Sequence, residues 1–165
     1  MARKKARNTR VRGESEKLIG YCGLYCGDCS GYKGTLANMA QDLNRELERE
    51  RFGELAGILS KVPFFKAFEH YPQCCEVLQT LSKLRCKKTC RGGGGPPRCG
   101  IRECNRENGL DGCWQCGEFK TCPELDFLKA GHGDAHLKNL ARIKRNGTRA
   151  FLHGKRLWRT KAKNI

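Results

Sequence analysis

The stretch LIGYCGLYCGDCSGY, residues 18–32, places Cys22, Cys26 and Cys29 at C-x3-C-x2-C spacing among glycines. Glycine permits the tight turns with which a loop wraps a metal ion. Spacings of two to four residues let a single turn present two sulfurs to one tetrahedral centre. The stretch therefore predicts a metal-binding loop, completed by a ligand from far along the chain.

The remaining ligand-like cysteines form further clusters with similarly short spacings. They are Cys86 and Cys90 (C-x3-C), Cys99 and Cys104 (C-x4-C), and Cys113 and Cys116 (C-x2-C), with Cys122 close behind. The predicted metal ligands are thus Cys22, Cys26, Cys29, Cys86, Cys90, Cys99, Cys104, Cys113, Cys116 and Cys122. Eight thiolates saturate two four-coordinate sites. We expect the second site to draw on Cys99, Cys104, Cys113, Cys116 and Cys122, although spacing alone leaves the pairing open.

The metal itself follows from the thiolate ligands. Zinc in two sites is the default for short closed loops in a structural role, and a [4Fe-4S] cluster is the alternative because it also accepts four thiolates. The C-x3-C-x2-C spacing also occurs in radical S-adenosylmethionine enzymes. Those enzymes need a large α/β barrel, which 165 residues without convincing strands do not supply.

Twelve cysteines in 165 residues indicate either a secreted disulfide framework or metal ligation. The first 17 residues, MARKKARNTRVRGESEK, lack the apolar run of a signal peptide. No stretch approaches the roughly 20 apolar residues of a transmembrane helix. We therefore expect a cytoplasmic protein without a membrane partner, whose thiols stay reduced and available to metal.

The net charge of +16 is concentrated at the two ends. Residues 1–18 carry seven Lys or Arg, and residues 138–165 carry ten with no acid. We expect a basic N-terminal arm at 1–18, a Cys-rich metal-binding domain at 19–153 and a basic C-terminal tail at 154–165. Such ends are typical of contact with nucleic acid or an acidic protein, and the alternative is a pair of solvated tails that maintain solubility.

Apolar periodicity predicts helices and no sheet. A helix is expected from Thr35, as its N-cap, to Gly53 or Leu59, a second after Pro72, and a third that begins at Asp134. We expect the aromatic residues between the first two helices to be the largest apolar anchors of the core. They are Phe64, Phe65, Phe68 and Tyr71. The predicted fold is mainly α: a small helical scaffold with Cys-rich, metal-bound loops and little or no sheet.

Four other residues carry weaker signals. Cys74 and Cys75 are adjacent on a predicted helix, point about 100° apart, and are interpreted as small buried hydrophobes rather than ligands. His132 and His136 have i, i+4 spacing, but no Glu follows the first histidine as in zincins, which favours a solvated helix start. The chain offers no nucleophile–base pair and no paired carboxylates in a plausible pocket, so a non-catalytic protein is favoured, and the sequence does not identify a small-molecule substrate.

Three segments of the chain together resemble a cysteine-rich prokaryotic family, Domain of Unknown Function 3795. They are YCGLYCGDC (21–29), RCGIRECNRENGLDGCWQCGEFKTCPEL (98–125) and HLKNLARIKRNGTRAFL (136–152). The resemblance covers roughly 19–153 and implies that eight of the ten candidate cysteines occupy family positions, with Cys86 and Cys90 matching a more tightly spaced pair. It implies a metal-binding protein without an established activity. Two functions of different kinds follow: a thiolate-ligated, metal-stabilised binding module, or an iron–sulfur redox or electron-transfer protein.

Overall fold

The computed structural model describes residues 16–160, and these residues divide into two compact units. The cysteine unit holds residues 16–32 and 87–160, and the helical unit holds Lys33–Cys86. The predicted basic arm at 1–18 and the last five residues of the predicted tail lie outside the described chain, apart from residues 16–18. Helix α1, Ser30–Lys33, lies where the first cysteine-unit segment ends.

The helical unit consists of α2 (Thr35–Arg49), α3 (Phe52–Leu59), a 3-10 segment (Pro63–His70) and α4 (Tyr71–Ser82). Helix α2 packs against α4. Its N-cap is Gly34 in a left-handed conformation rather than Thr35, which is the first helical residue. Arg51, with φ of 50°, separates α2 from α3, so the first predicted helix is in fact two.

The predicted role of the aromatic segment 64–71 is wrong. Phe64 is 87% exposed, and Phe65 is also exposed. Phe68 and Tyr71 are partly buried and pack against Phe52, with ring centroids 5.5 Å apart in both pairs. The apolar side chains that are buried in this unit are Ala37, Ala40 and Ala56. These aromatic rings therefore make contacts within the helical unit and do not form the main core.

The main core lies in the cysteine unit, whose helices are α5 (Gly100–Glu107), α6 (Leu128–His132) and α7 (Ala135–His153). A 3-10 turn at Cys26–Asp28 and another at Pro123–Leu125 complete its helical elements. Its buried cluster comprises Ile19, Ile101, Cys113, Trp114, Phe119, Leu125, Leu140, Ile143 and Phe151. Within residues 16–160 no strand forms, and an isolated bridge joins Ile19 to Tyr25. The predicted mainly helical fold is confirmed.

Helix α7 is the element against which the first cysteine loop packs. Gly23 has φ of 79°, and a Cβ at this position would lie 2.9 Å from Leu140 Cγ, so glycine permits the close approach. Asn139 Nδ2 donates to the Gly23 carbonyl at 3.0 Å. Gly147 interrupts the helical path of α7 with φ of 77°, after which the chain continues helically to Phe151, which is fully buried.

Residues 154–160 of the predicted tail lie against the cysteine unit. Asn139 forms two hydrogen bonds with the backbone of Leu157, at 2.8 and 3.1 Å. Arg156 pairs with Asp28 at 3.0 Å and stacks over Tyr25. The C-terminal segment is thereby connected to the loop that carries Cys26 and Cys29.

Among residues 16–160, no helix has both the length and the apolar character needed to cross a membrane.

Candidate metal centre

The first cysteine loop meets the loop 87–99 at Cys26 and Cys90. The backbone N–H of Cys90 donates to Cys26 Sγ at 3.4 Å. The neighbouring Cys90 thiol is the largest influence on Cys26 and, together with the Cys90 backbone N–H and the positive charge of Arg91, lowers the pKa of Cys26 to about 6 despite burial. The same contact raises the pKa of Cys90 well above its ordinary value. Cys26 thus lies in an environment that favours a thiolate.

Other thiols surround this contact. Burial raises the pKa of Cys22 to about 12, and the neighbouring sulfurs of Cys113, Cys26 and Cys99 act in the same direction. The sulfurs of Cys22 and Cys29 likewise act on Cys90. Leaving out Cys113, which also belongs to the set described next, we call these sulfurs the first thiol group: Cys22, Cys26, Cys29, Cys90 and Cys99.

A second set of sulfurs surrounds Cys113, which is buried in the core. Burial raises the pKa of Cys113, and negative charge on Cys122, Cys104 and Cys116 acts in the same direction. The sulfurs of Cys122, Cys104 and Cys116 therefore lie within electrostatic range of Cys113. The second thiol group is Cys104, Cys113, Cys116 and Cys122.

Sulfurs of the second group accept hydrogen bonds from nitrogen donors. Asn105 Nδ2 donates to Cys113 Sγ at 3.2 Å and Asn108 Nδ2 to Cys104 Sγ at 3.7 Å. The backbone N–H of Glu118 donates to Cys116 Sγ at 3.4 Å. Nitrogen donors to sulfur are the outer contacts that orient thiolate ligands and tune their charge in metal sites.

Two arginines hold the loops that carry these thiols. Arg102 is 5% exposed and donates to the carbonyls of Cys90, Gly94, Pro96 and Pro97 at 2.9–3.1 Å. Arg91 binds the carbonyls of Ile19 and Asp111, so it joins the first cysteine loop to the segment before Cys113. Among the described residues neither guanidinium has a carboxylate within 4.0 Å.

Nine of the ten predicted ligands lie in the cysteine unit, whereas Cys86 lies in the helical unit. All twelve cysteines are free thiols. Within residues 16–160, no three His, Cys, Asp or Glu side chains are arranged so that they could hold a metal ion. The sulfurs are neighbours whose side chains are not in ligating positions.

The two other cysteines lie on α4 of the helical unit. Cys74 is exposed and Cys75 is half-buried. The interpretation of both as buried hydrophobes is therefore wrong for Cys74, because its face of α4 is open to solvent, as is nearby Val77 at 58% exposure.

The predicted solvated helix start at His132 and His136 is also wrong. His136 is fully buried, and neither ring nitrogen has a hydrogen-bond partner among the described residues. His132 Nδ1 lies 2.7 Å from the Trp158 carbonyl, and its ring packs edge-on against Trp158. Residues 157–160 cover this end of α7, which explains why a histidine in its first turn is shielded from water.

Sequence reasoning missed the residues that support the thiols, above all Arg102 and Asn105. One signal was present: Ile101 and Asn105 are four residues apart and so share a helix face, and both are buried in α5. A polar residue on the apolar face of a helix next to a cysteine cluster is a candidate sulfur donor.

Comparison with known proteins gives one family assignment. No curated protein and no solved structure matches this chain significantly. The model of a family described as "Protein of unknown function (DUF3795)" matches residues 18–127, about two thirds of the chain. The match includes the first cysteine loop, α5 and all four thiols of the second group, and it ends before α6 and α7. The chain therefore belongs to the DUF3795 family of proteins of unknown function.

Proposed function

We propose that this protein binds metal through cysteine thiolates, with one zinc ion in each of the two thiol groups. The observation that carries the proposal is the set of nitrogen donors on four of the sulfurs, those of Cys26, Cys104, Cys113 and Cys116. Buried cysteines that serve only as small hydrophobes do not require such donors. Sulfurs that bear negative charge, as thiolate ligands of a metal do, require such donors.

The charge of the surroundings supports the same proposal. Arg102 is buried with four carbonyl acceptors and no carboxylate partner within 4.0 Å among the described residues. A buried cation without a counter-ion is costly. Four thiolates around one divalent ion carry a net charge of about −2. A thiolate site beside the Cys90 loop would therefore supply the negative charge that Arg102 lacks.

The donor types fit zinc, which accepts tetrahedral coordination by four thiolates, and they equally fit a [4Fe-4S] cluster. The second group offers four thiols and the first group five, so either metal leaves one sulfur of the first group unused. Metal binding would require rotation of the thiols within each group, because their present positions do not converge. Bound zinc would cross-link the loops that Arg91 and Arg102 already hold.

Elemental analysis and visible absorption of protein purified with and without oxygen test the proposal. We expect two zinc ions per chain, no visible absorption band, and loss of one ion per chain in Cys113→Ser and in Cys90→Ser. Cys74→Ser, exposed on α4, is the matched control and should retain both ions. A brown protein with iron and sulfide would establish the redox alternative instead. Full-length protein that binds neither metal would refute both.

A further inference from the structure

Helix α7 and the segment that follows it carry basic side chains and no acidic ones, because residues 138–160 contain no Asp or Glu. Lys138, Arg142 and Arg145 lie at i, i+4 and i+7 and therefore share one face of the helix. The opposite face is the buried one, which carries His136 and Leu140. The three basic side chains thus form a row on the outer side of α7.

The chain after α7 extends this row. The Arg142 guanidinium donates to the Lys155 carbonyl, so Lys155 lies beside Arg142. We call Lys138, Arg142, Arg145 and Lys155 the basic ridge. Lys138 pairs with Asp134 at 3.0 Å, whereas among the described residues the other three have no carboxylate within 4.0 Å. Because Arg145 and Lys155 are also exposed, the ridge presents uncompensated positive charge to solvent.

Helix α2 shows how the same chain forms a surface helix with balanced charges. Arg45 lies 3.4 Å from Asp42, and Arg49 is likewise within ion-pair distance of a glutamate. In α7, by contrast, Lys138 and Arg142 are like charges at i, i+4, a spacing that destabilises a helix. Solubility does not require this repulsion, because the mixed charges of α2 are equally well hydrated. An anionic ligand that neutralises the ridge would account for it.

We propose that the basic ridge binds the phosphate backbone of nucleic acid. Lys and Arg side chains contact phosphate oxygens through charge-assisted hydrogen bonds, and such contacts position a protein on nucleic acid without reading its bases. Because the ridge contains no cysteine, its binding of phosphate is a function separate from metal binding.

The surroundings of the ridge favour nucleic acid over an acidic protein. A protein partner buries an apolar core at the centre of its interface. Within residues 128–160, no large apolar side chain is exposed. The phosphate backbone requires no apolar contact, since its affinity for a protein comes from charge and from the release of counterions. The ridge therefore fits a polyphosphate chain better than a protein surface.

Fluorescence anisotropy of the full-length protein measures this binding with two labelled probes, a short DNA duplex and a short single-stranded RNA. We expect both to bind at about 50 mM salt, with affinities that are independent of base sequence and fall steeply as salt is raised. Each phosphate contact contributes about 0.9 to the slope of log affinity against log salt on duplex DNA and about 0.7 on a single strand.

The ridge variant Arg145→Gln, Lys155→Gln removes two charges that have no carboxylate partner among the described residues. Its matched control, Arg45→Gln, Lys61→Gln, removes one exposed arginine and one exposed lysine from the helical unit. Both variants lose the same net charge, so they differ only in where it is lost. At about 50 mM salt the ridge variant should bind at least about tenfold more weakly than the control, and its slope on duplex DNA should be smaller by about 1.8.

Circular dichroism and metal content verify that the two variants are folded alike. If the ridge variant is misfolded, Lys155→Gln alone, which lies outside α7, is compared with Lys61→Gln. The expected difference in slope on duplex DNA is then about 0.9.

Absence of binding by the wild-type protein at about 50 mM salt would overturn the proposal, because electrostatic attraction is only weakly screened there. Equal affinities and slopes for the ridge variant and its control would also overturn it, since the contacts would then lie elsewhere on the chain. Poly-glutamate serves as a third probe. If it binds the wild-type protein more tightly than both nucleic acids and loses affinity in the ridge variant, the ridge is a site for an acidic protein instead.

Discussion

The cysteine unit buries Phe151, Ile19 and Leu140 completely, whereas the helical unit leaves Phe64 87% exposed and buries only alanines among its apolar residues. From the sequence, the largest apolar anchors of the core were expected in the aromatic segment 64–71 of the helical unit. The helical unit is formed by helices that meet at small side chains, and the cysteine unit has the larger buried cluster together with nine of the twelve thiols. Apolar periodicity therefore predicts a helix but does not predict how much of its apolar face is buried.

Removal of metal should produce the largest difference between the two units. If zinc cross-links the loops of the cysteine unit, a chelator should abolish the cooperative unfolding of this unit. The reason is that the free energy of binding zinc at a structural site contributes directly to the free energy of folding. Hydrogen exchange should then show loss of protection across α5 and the segment 108–127, while α2 and α4 retain theirs.

The double variant Cys74→Ala, Cys75→Ala is the control for the chelation experiment, since it leaves both thiol groups intact and should keep the wild-type metal content and transition. A metal-free protein with a sharp and unshifted thermal transition would contradict the expected dependence of folding on metal.

Truncation of one phenylalanine in each unit compares their cores directly. Phe151→Ala removes a fully buried ring and should lower the free energy of unfolding by about 3–5 kcal/mol. Phe64→Ala removes an 87% exposed ring and should change it by less than about 0.5 kcal/mol. Urea unfolding of both variants measures the difference, and equal losses would mean that the comparison of the two units is wrong.

Arg102 allows a test of the polar interior of the cysteine unit. Arg102→Met keeps much of the apolar stem but leaves the carbonyls of Cys90 and three other residues without their donor. An unsatisfied buried acceptor costs about 1–3 kcal/mol. Because water replaces some of the lost bonds, we expect the free energy of unfolding to fall by roughly 2–3 kcal/mol in total. Arg98→Met, at an exposed position on the same segment, should be nearly neutral.

The sequence predicted the helical class and the family because periodicity and cysteine spacing are local properties. It could not predict that Cys90 meets Cys26, because spacing carries no information on proximity between distant segments. The aromatic segment 64–71 failed as a core for a related reason: burial depends on which elements pack together. The ligand set stays a prediction, and so do the contacts of the basic ends with nucleic acid or an acidic protein. Within the predicted basic tail, Arg156 already has a structural partner, because it pairs with Asp28.

His136 gives the smallest expected effect and the sharpest pH test. Burial lowers the pKa of His136 below its ordinary value of 6.5; the charges of His132 and Lys129 act in the same direction, and Asp134 and Asp126 oppose them. The unfolded chain therefore binds a proton near pH 6.5 that the folded chain does not, so stability is full above this pH and falls as the pH is lowered. The slope for one proton is at most about 1.4 kcal/mol per pH unit.

His136→Leu removes the titrating ring while the site stays apolar, so stability at about pH 7.5 should change little and the acid slope between roughly pH 6.5 and 5 should become shallower. His153→Leu, at an exposed position, is the matched control and should keep the wild-type slope. Urea unfolding is measured across this range with zinc in excess, because acid also promotes metal release by protonating thiolates. All three proteins share the same thiols, so metal release contributes equally to each slope and cancels in the comparison. Identical slopes for His136→Leu and wild type would show that His136 takes up its proton in the folded protein, contrary to its complete burial.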